Sequence, residues 1–221
     1  MRELFLDIET TGLSYESGHR IVEIACLETK NLITTSSFFH KIINPERNVS
    51  DEAFKVHGFS SEFLKTKKKF SEVCDEFLEF TKDKKIIAHN ARFDIDFINF
   101  ELKKLKKKPI SYDQVTDSLE IARSRFPGLS NSLDALCKRF GVDLSKRVKH
   151  NAMLDCELLR EVYINLLDAK EPKLVFDNHN NKTSSPKLAN LDYSKKIINL
   201  SENEKKNHDN FLKKEMRKNF Y

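Results

Sequence analysis

The chain has 221 residues, of which 39% are hydrophobic, and carries a formal net charge of +5 at pH 7. This length accommodates one domain of ordinary size with an appendage and argues against two full domains. Acids occur within the first ten residues and no run of about 18 apolar residues is present, so we expect neither a signal peptide nor a membrane span but a soluble, cytoplasmic protein.

Charge and cysteine spacing narrow the kinds of site that the chain can hold. The net positive charge is compatible with a polyanionic partner but does not require one. The four cysteines form no CxxC pair and have no ligand-like spacing with histidine. A zinc site or a disulfide framework is therefore disfavoured, and a reducing compartment is expected.

The first half of the chain predicts an opening meander of strands. Apolar runs predict strands at 3–8, 20–28 and near 38–43. Helical patterns begin at residue 50, and 86–88 is typical of a short buried strand that leads directly into a helix.

The second half is predominantly helical. A segment of mixed character at 115–125 ends at a Pro-Gly breaker, and amphipathic helices are predicted at 132–140 and 152–167. Strands first and alternating helices later predict an α/β fold with a mixed sheet flanked by helices.

The composition changes after residue 170. Residues 177–186 are polar and without periodicity, which is typical of a linker. A segment at 201–218 begins with a possible capping box, Ser201 with Glu204, and has few apolar anchors. We therefore predict a domain at 1–170, a flexible linker at 171–190 and a C-terminal tail at 191–221.

The chain contains three short acidic motifs, here called stations: one with Asp7 and Glu9, one with Asp94 and one with Asp155. Asp7 and Glu9 lie two residues apart in a predicted strand, so their carboxylates point to the same face. Asp94 lies in the first turn of a predicted helix, and Asp155 lies on the core side of another, where acids rarely occur without a cationic partner. Together with His150, these four carboxylates are the side chains needed to cleave a phosphodiester with two divalent metal ions.

Each station also has an ordinary structural explanation when taken alone. Asp7 and Glu9 could be solvent-facing residues of an edge strand, Asp94 a capping acid, Asp155 a salt-bridge partner and His150 a surface loop residue. Five helical residues rotate a side chain by roughly 140°, so we expect His150 to lie in the loop before the helix of Asp155. The joint occurrence of all three stations favours a shared site.

The stations resemble the three exonuclease motifs of the DEDD family, in the variant whose last motif has histidine five residues before aspartate. The sequences are Asp7-Ile8-Glu9-Thr10-Thr11-Gly12, His89-Asn90-Ala91-Arg92-Phe93-Asp94 and His150-Asn151-Ala152-Met153-Leu154-Asp155. The resemblance extends to 51–58, 116–119 and 131–137 and covers about residues 1–170. Within the family it is greatest to the group of proofreading (epsilon) subunits of bacterial DNA polymerase III.

The resemblance implies a ribonuclease H-like fold and 3′–5′ exonuclease activity that releases nucleoside 5′-monophosphates. It implies two Mg²⁺ or Mn²⁺ ions held by Asp7, Glu9, Asp94 and Asp155, with His150 as the general base. The implied substrate-binding residues are Asp7, Glu9, Thr10, Thr11, Glu52, His57 and Asp155. Four acids outside the motifs are expected to be structural or surface residues: Asp96, Asp113, Asp117 and Asp134.

The resemblance also implies partners. The substrate would be single-stranded or frayed 3′ DNA ends, and the tail at 191–221 would dock on the polymerase alpha subunit. Residues 171–176 are similar to the Gln-x-x-Leu-x-Phe peptide that binds the sliding clamp, although Glu171 replaces the glutamine and lacks its amide donors.

Two other functions are alternatives to proofreading. An RNA 3′ exonuclease similar to oligoribonuclease or ribonuclease T would use the same motifs and metals, but such a small RNA-trimming enzyme has little need for the tail. A non-catalytic replicase scaffold would have no reason to retain clustered charges that are costly to bury.

Overall fold

The computed structural model describes residues 2–145, 147, 149–168 and 200–215. Its five strands are β1 (Arg2–Thr10), β2 (Ile21–Lys30), β3 (Ile33–Ile42), β4 (Lys85–Ala88) and β5 (Val115–Asp117). They form one sheet in the order β3-β2-β1-β4-β5, in which β1, β2 and β3 are antiparallel and β4 is parallel to both β1 and β5. The mixed sheet and the opening meander were both predicted correctly.

The helices follow and interleave with the later strands. They are α1 (Asp51–His57), α2 (Ser61–Lys65), α3 (Phe70–Thr81), α4 (Ala91–Lys104), α5 (Ser118–Arg125), α6 (Leu133–Phe140), α7 (Ala152–Leu166) and α8 (Glu202–Glu215), with a short 3₁₀ turn at Tyr112–Gln114. Within the part of the chain that the structure describes, every helix is too short or too polar to cross a membrane.

The third strand is longer than predicted. It begins at Ile33 rather than near residue 38, because β2 and β3 form a hairpin in which Lys30 pairs with Ile33 and Thr29 with Thr34. Asn31 and Leu32 make the turn with positive φ angles. The hairpin thus extends the strand through an exposed polar stretch that has no alternating pattern in the sequence.

The two faces of the sheet carry different helices. Leu6 and Ile8 of β1 belong to the core that includes side chains of α3 and α4, whereas Phe5 packs with side chains of α7. Because successive side chains alternate between faces, Asp7 and Glu9 lie on the same side as Phe5. The prediction that these two acids share a face is confirmed, and that face is the one covered by α7.

The C-terminal region is a separate compact unit. Contacts divide the chain into residues 1–174 and 175–221. The predicted capping box at the start of α8 is confirmed, since the Ser201 backbone N–H donates to Glu204 Oε2 (2.8 Å) and the Glu204 N–H donates to Ser201 Oγ (3.3 Å). The predicted linker and the clamp-like peptide at 171–176 lie outside the described residues.

All four cysteines are buried in the protein interior. Burial raises the pKa of the Cys137 thiol to about 11 and shifts that of Cys156 in the same direction. Cys26 of β2 and Cys74 of α3 lie in the core that also contains side chains of α4. These thiols therefore stay protonated at neutral pH.

Candidate active site

The first two acids lie where β1 extends beyond its neighbour. Only Glu3–Phe5 of β1 pair with β4, so the next residues have no strand on that side. Asp94 fills the gap, and its Oδ1 accepts the backbone N–H of Ile8 at 3.1 Å. This bond holds the Asp94 carboxylate at Ile8, the residue that lies between Asp7 and Glu9 in β1.

Asp117 holds the helix that carries Asp94. It accepts the backbone N–H groups of Asn90 (3.0 Å), just before α4, of Ala91 (3.1 Å), the first residue of α4, and of Leu119 (2.8 Å) at the start of α5. One carboxylate thereby satisfies donors at two helix N-termini, which would otherwise be unpaired. Asp117 is a structural residue, as expected from the sequence.

The third station begins at the N-terminus of α7. Asn151 is the N-cap, with Oδ1 accepting the Leu154 N–H at 3.1 Å, and Asp155 lies in the first turn. His150 precedes the helix, and its backbone N–H donates to Val56 O at 3.2 Å. The predicted position of His150, in the loop before the helix, is confirmed.

All five motif residues meet in one cleft of about 780 Å³. Glu9, His150 and Asp155 offer ligand atoms that all lie within 4.8 Å of one another. His150 Nδ1 is 3.5 Å from Asp155 Oδ2 and 3.9 Å from Glu9 Oε1. Asp7 and Asp94 line the same cleft, so stations far apart in the sequence converge.

The electrostatics of the cleft favour a bound cation. Burial, together with the charges of Asp94 and Asp155, raises the pKa of Asp7 well above its usual range. Burial raises the pKa of Asp94 in the same way and that of Glu9 to about 7. Carboxylates held so close together are stable in their charged form only when positive charge compensates them.

Arg147 supplies part of that charge, and its role was not predicted from the sequence. Its Nε donates to Asp155 Oδ1 (2.6 Å) and its Nη2 to Asp155 Oδ2 (2.7 Å), while Nη1 pairs with Asp134. The cationic partner expected for Asp155 is therefore an arginine eight residues earlier. Arg147 stands in the basic stretch 146–149, where nothing in the sequence distinguishes it from the neighbouring lysines.

In the last motif the pKa of the acid is lowered and that of the histidine is raised. Burial would raise the pKa of Asp155, but hydrogen bonds from His150 and Arg147 hold it below its usual value. The hydrogen bond to Asp155 raises the pKa of His150, against burial and the charge of Arg147. Asp155 is thus ionised at neutral pH and faces the other acids as a carboxylate.

A second cavity, of about 540 Å³, opens beside the cleft, and Glu9 lines both. Glu52 and His57 of α1 line this cavity. His57 is buried, and its Nδ1 accepts the Phe59 N–H (3.0 Å), so the neutral ring carries its proton on Nε2. Among the described residues, Nε2 is a buried polar atom without a protein partner. Burial lowers the pKa of His57, and a hydrogen-bonding interaction with the Thr10 backbone raises it to a lesser extent.

The two threonines of the first motif are placed differently. Thr10 lines the second cavity, and its hydroxyl donates to Gly12 O at 2.7 Å. Thr11 is fully buried, and its Oγ1 bonds His19 Nδ1 (3.0 Å) and accepts the Arg20 N–H (3.1 Å). Thr11 thus shapes the turn after β1, and its hydroxyl already has protein partners.

Comparison with known proteins identifies the family. A profile of the exonuclease family matches residues 4–163. DNA polymerase III subunit epsilon of Rickettsia conorii is 50% identical over 174 residues, which cover 77% of this chain and 76% of that protein. This chain belongs to the exonuclease family, in the group of DNA polymerase III epsilon subunits.

Solved structures of other exonucleases share the fold. The nuclease domain of 3′hExo, a DEDDh family member, has a TM-score of 0.66 at 15% identity and covers 76% of this chain and 92% of that domain. Exonuclease X in complex with 5′ overhanging duplex DNA has a TM-score of 0.60 at 22% identity, with the same coverage. The predicted ribonuclease H-like fold is confirmed.

The family also settles the type of reaction. The predicted function, a 3′–5′ exonuclease of the epsilon type that proofreads during replication, is confirmed, and the family uses divalent metal ions. The donor set fits such ions, because four acids and one histidine converge on one cleft and hard cations favour carboxylate oxygens.

Proposed function

We propose that the cleft hydrolyses the terminal phosphodiester bond at 3′ ends of DNA. Asp7, Glu9, Asp94 and Asp155 would hold two Mg²⁺ or Mn²⁺ ions. The observation that carries the proposal is the convergence of these acids, three of them with pKa values raised by burial and mutual repulsion, in a single cleft. Bound divalent ions would acidify the attacking water and stabilise the charge on the leaving oxygen.

His150 would act as the general base. Arginine can only donate hydrogen bonds, so in the neutral imidazole the lone pair lies on Nδ1, 2.9 Å from Arg147 Nη2. For Nδ1 to take the proton, the attacking water would first have to displace Arg147 from this lone pair. Asp155 Oδ2, 3.5 Å from Nδ1, would then accept the new N–H and stabilise the imidazolium.

The second cavity would hold the terminal nucleotide. It adjoins the cleft through Glu9 and is lined by His57, whose buried Nε2–H would donate to the oxygen of a sugar hydroxyl once the ring turns towards the nucleotide. Glu52, exposed in the first turn of α1, would accept from a hydroxyl group. Thr10 and Thr11 would shape the turn that lets the backbone approach the nucleotide.

Single-stranded and frayed DNA ends would be the natural substrate. A paired terminus must unpair before it can reach a narrow cleft, so a mismatched end enters more often than a matched one. Selectivity for errors then needs no recognition of the mismatch itself. Exonuclease X, which shares the fold, was solved with duplex DNA.

The rest of the chain would connect this activity to a replicase in the cytoplasm. We propose that the tail at 191–221 binds the polymerase alpha subunit and that residues 171–176 bind the sliding clamp weakly. A pull-down with Leu174 and Phe176 both changed to alanine tests the clamp contact. Undiminished capture of the clamp would show that this peptide is not used.

A matched pair of acids on α4 tests the site. Asp94→Asn should abolish digestion of 3′-labelled single-stranded DNA, because it removes a proposed metal ligand. Asp96→Asn should retain it, since Asp96 bonds Tyr112 Oη (2.7 Å) away from the cleft. Asp7→Ala should also be inactive, and robust activity in either site variant would contradict the proposal.

The same assay fixes the substrate class. Single-stranded DNA, mispaired duplex and RNA are digested side by side, with and without Mg²⁺. Preference for frayed DNA ends is expected. Faster digestion of RNA would instead support the alternative, an RNA 3′ exonuclease.

A further inference from the structure

A buried acid outside the three motifs lies directly beside the cleft. Glu23 of β2 is completely buried and is the cross-strand partner of Glu9. Directly opposite residues of antiparallel strands project from the same face, and two like charges there destabilise a sheet. Burying a glutamate beside a functional glutamate costs free energy, so the contacts of Glu23 should explain why it is there.

Those contacts reach the start of α7. Glu23 Oε2 accepts the backbone N–H of Ala152 (3.0 Å), the first residue of the helix, and Oε1 accepts Asn151 Nδ2 (3.0 Å). Oε1 also bonds His40 Nε2 at 2.7 Å. Asn151 in turn caps the helix through its Oδ1. One carboxylate therefore fixes both the helix start and the side chain that caps it.

The position of Glu23 gives it a role in the site. Residues 151 and 152 lie between His150 and Asp155, while Glu9 lies across the ladder from Glu23. The sheet contributes Glu9 and helix α7 contributes Asp155. Glu23 connects the sheet to α7 at a point close to both of these acids. Partners that orient metal ligands in this way matter for metal affinity, even though they do not touch the ion.

We propose that Glu23 is a positioning residue that sets His150 and Asp155 at the correct distance from Glu9 for metal binding. The inference rests on the proposed two-metal site. It makes Glu23 part of the machinery without giving it contact with substrate or ion. If Glu23 served only to stabilise the fold, its loss would lower stability and leave the metal affinity of the folded protein unchanged.

Glu28 provides a matched control on the same strand. It is also buried, and it bonds Lys84 Nζ (2.8 Å) and Thr35 Oγ1 (3.1 Å). It pairs with Leu4, towards the opposite end of β1 from Glu9. Glu28→Gln should therefore report the general cost of altering a buried acid in β2.

The test measures Mn²⁺ affinity by titration of the full chain, with thermal unfolding and amide exchange on the same samples. Glu23→Asp keeps the charge but shortens the side chain, and should weaken Mn²⁺ binding by about 10- to 100-fold. It should also speed exchange of the Ala152 and Leu154 amides. Glu28→Gln should leave the Mn²⁺ affinity as it is in the unmodified chain.

A second variant covers the case in which Glu23→Asp does not fold. Asn151→Ser keeps an oxygen to cap Leu154, but its shorter side chain lacks the Nδ2 donor that Glu23 accepts, so it should also weaken Mn²⁺ binding. Unchanged affinity in the folded variants, or equal weakening in Glu28→Gln, would overturn the inference. No Mn²⁺ binding by the unmodified chain would contradict the proposed two-metal function and the inference with it.

Discussion

Arg147 holds both carboxylate oxygens of Asp155, with nitrogen–oxygen distances of 2.6 and 2.7 Å. The side chains of Arg147 and Asp155 are 8% and 3% exposed, so this is a buried bidentate pair. The second lone pair of Oδ1 remains available to a metal ion, whereas Oδ2 also lies 3.5 Å from His150 Nδ1. The arginine is thus the internal counter-ion of an acid that we propose as a metal ligand.

Removing this arginine should destabilise the metal-free protein. Arg147→Gln leaves a buried carboxylate without its partner, and the free energy of unfolding should fall by about 3–5 kcal/mol. Urea denaturation with and without Mn²⁺ measures the effect. The loss should be smaller with Mn²⁺, because the ion would compensate the Asp155 charge.

The control is Arg92→Gln. Its side chain is 87% exposed in an i,i+4 pair with Asp96, so its loss should change stability by less than about 1 kcal/mol. If Arg147→Gln lowers the free energy of unfolding by the same amount with and without Mn²⁺, the ion does not share Asp155 with the arginine.

The stability of the metal-free protein should fall as the pH rises. Burial raises the pKa of Glu9 from 4.5 to about 7, so the folded state binds its proton more tightly than the unfolded state. Its contribution is present below about pH 4.5 and is lost as the pH rises through about 7, amounting to at most about 3 kcal/mol. The raised pKa of His150 acts in the same direction.

Urea denaturation of the metal-free chain from about pH 5 to about pH 8 tests this. Glu9→Gln should flatten the pH profile, since glutamine does not titrate. A metal-free chain that becomes more stable over this range would contradict the assigned shifts.

His150→Ala should reduce kcat by about 10²- to 10⁴-fold, the range expected for loss of a general base. Its affinity for Mn²⁺ should change little, because the four carboxylates would hold the ions. Single-turnover digestion and Mn²⁺ titration separate the two effects. His208→Ala, on the exposed surface of α8, serves as the control. A large drop in Mn²⁺ affinity would instead make His150 a metal ligand.

His57→Phe should weaken productive binding of the 3′ end. The variant keeps an aromatic ring to stack on Phe59 but removes the Nε2–H donor, so kcat/KM should fall by about three- to tenfold, the value of one hydrogen bond. Loss of the Nδ1 bond to the Phe59 N–H should cost only about 1 kcal/mol of stability. Unchanged kcat/KM for single-stranded DNA would exclude a contact between His57 and the nucleotide.

Local patterns predicted much of the fold and the positions of the motif acids. The two-residue spacing of Asp7 and Glu9 indicates their common face, and the five-residue spacing of His150 and Asp155 places the histidine before the helix. These features depend on short-range geometry, which the sequence contains directly.

The supporting residues depend on long-range geometry and escaped prediction. Glu23 meets Ala152 across 129 positions of the chain, and no periodicity links them. Arg147 is one of several basic residues in its loop, and its side chain is distinguished only by the position of Asp155 after folding. In the same way, the buried hydroxyl of Thr11 could not be told from that of Thr10 by sequence.

The burial of all four thiols has a practical consequence for following this enzyme at work. A cysteine engineered onto the surface would be the most reactive thiol in the folded chain, so maleimide dyes should label it selectively without removing the natural cysteines. One fluorophore on α1 and another on a DNA primer would then report, by energy transfer, each arrival of a 3′ end at the enzyme.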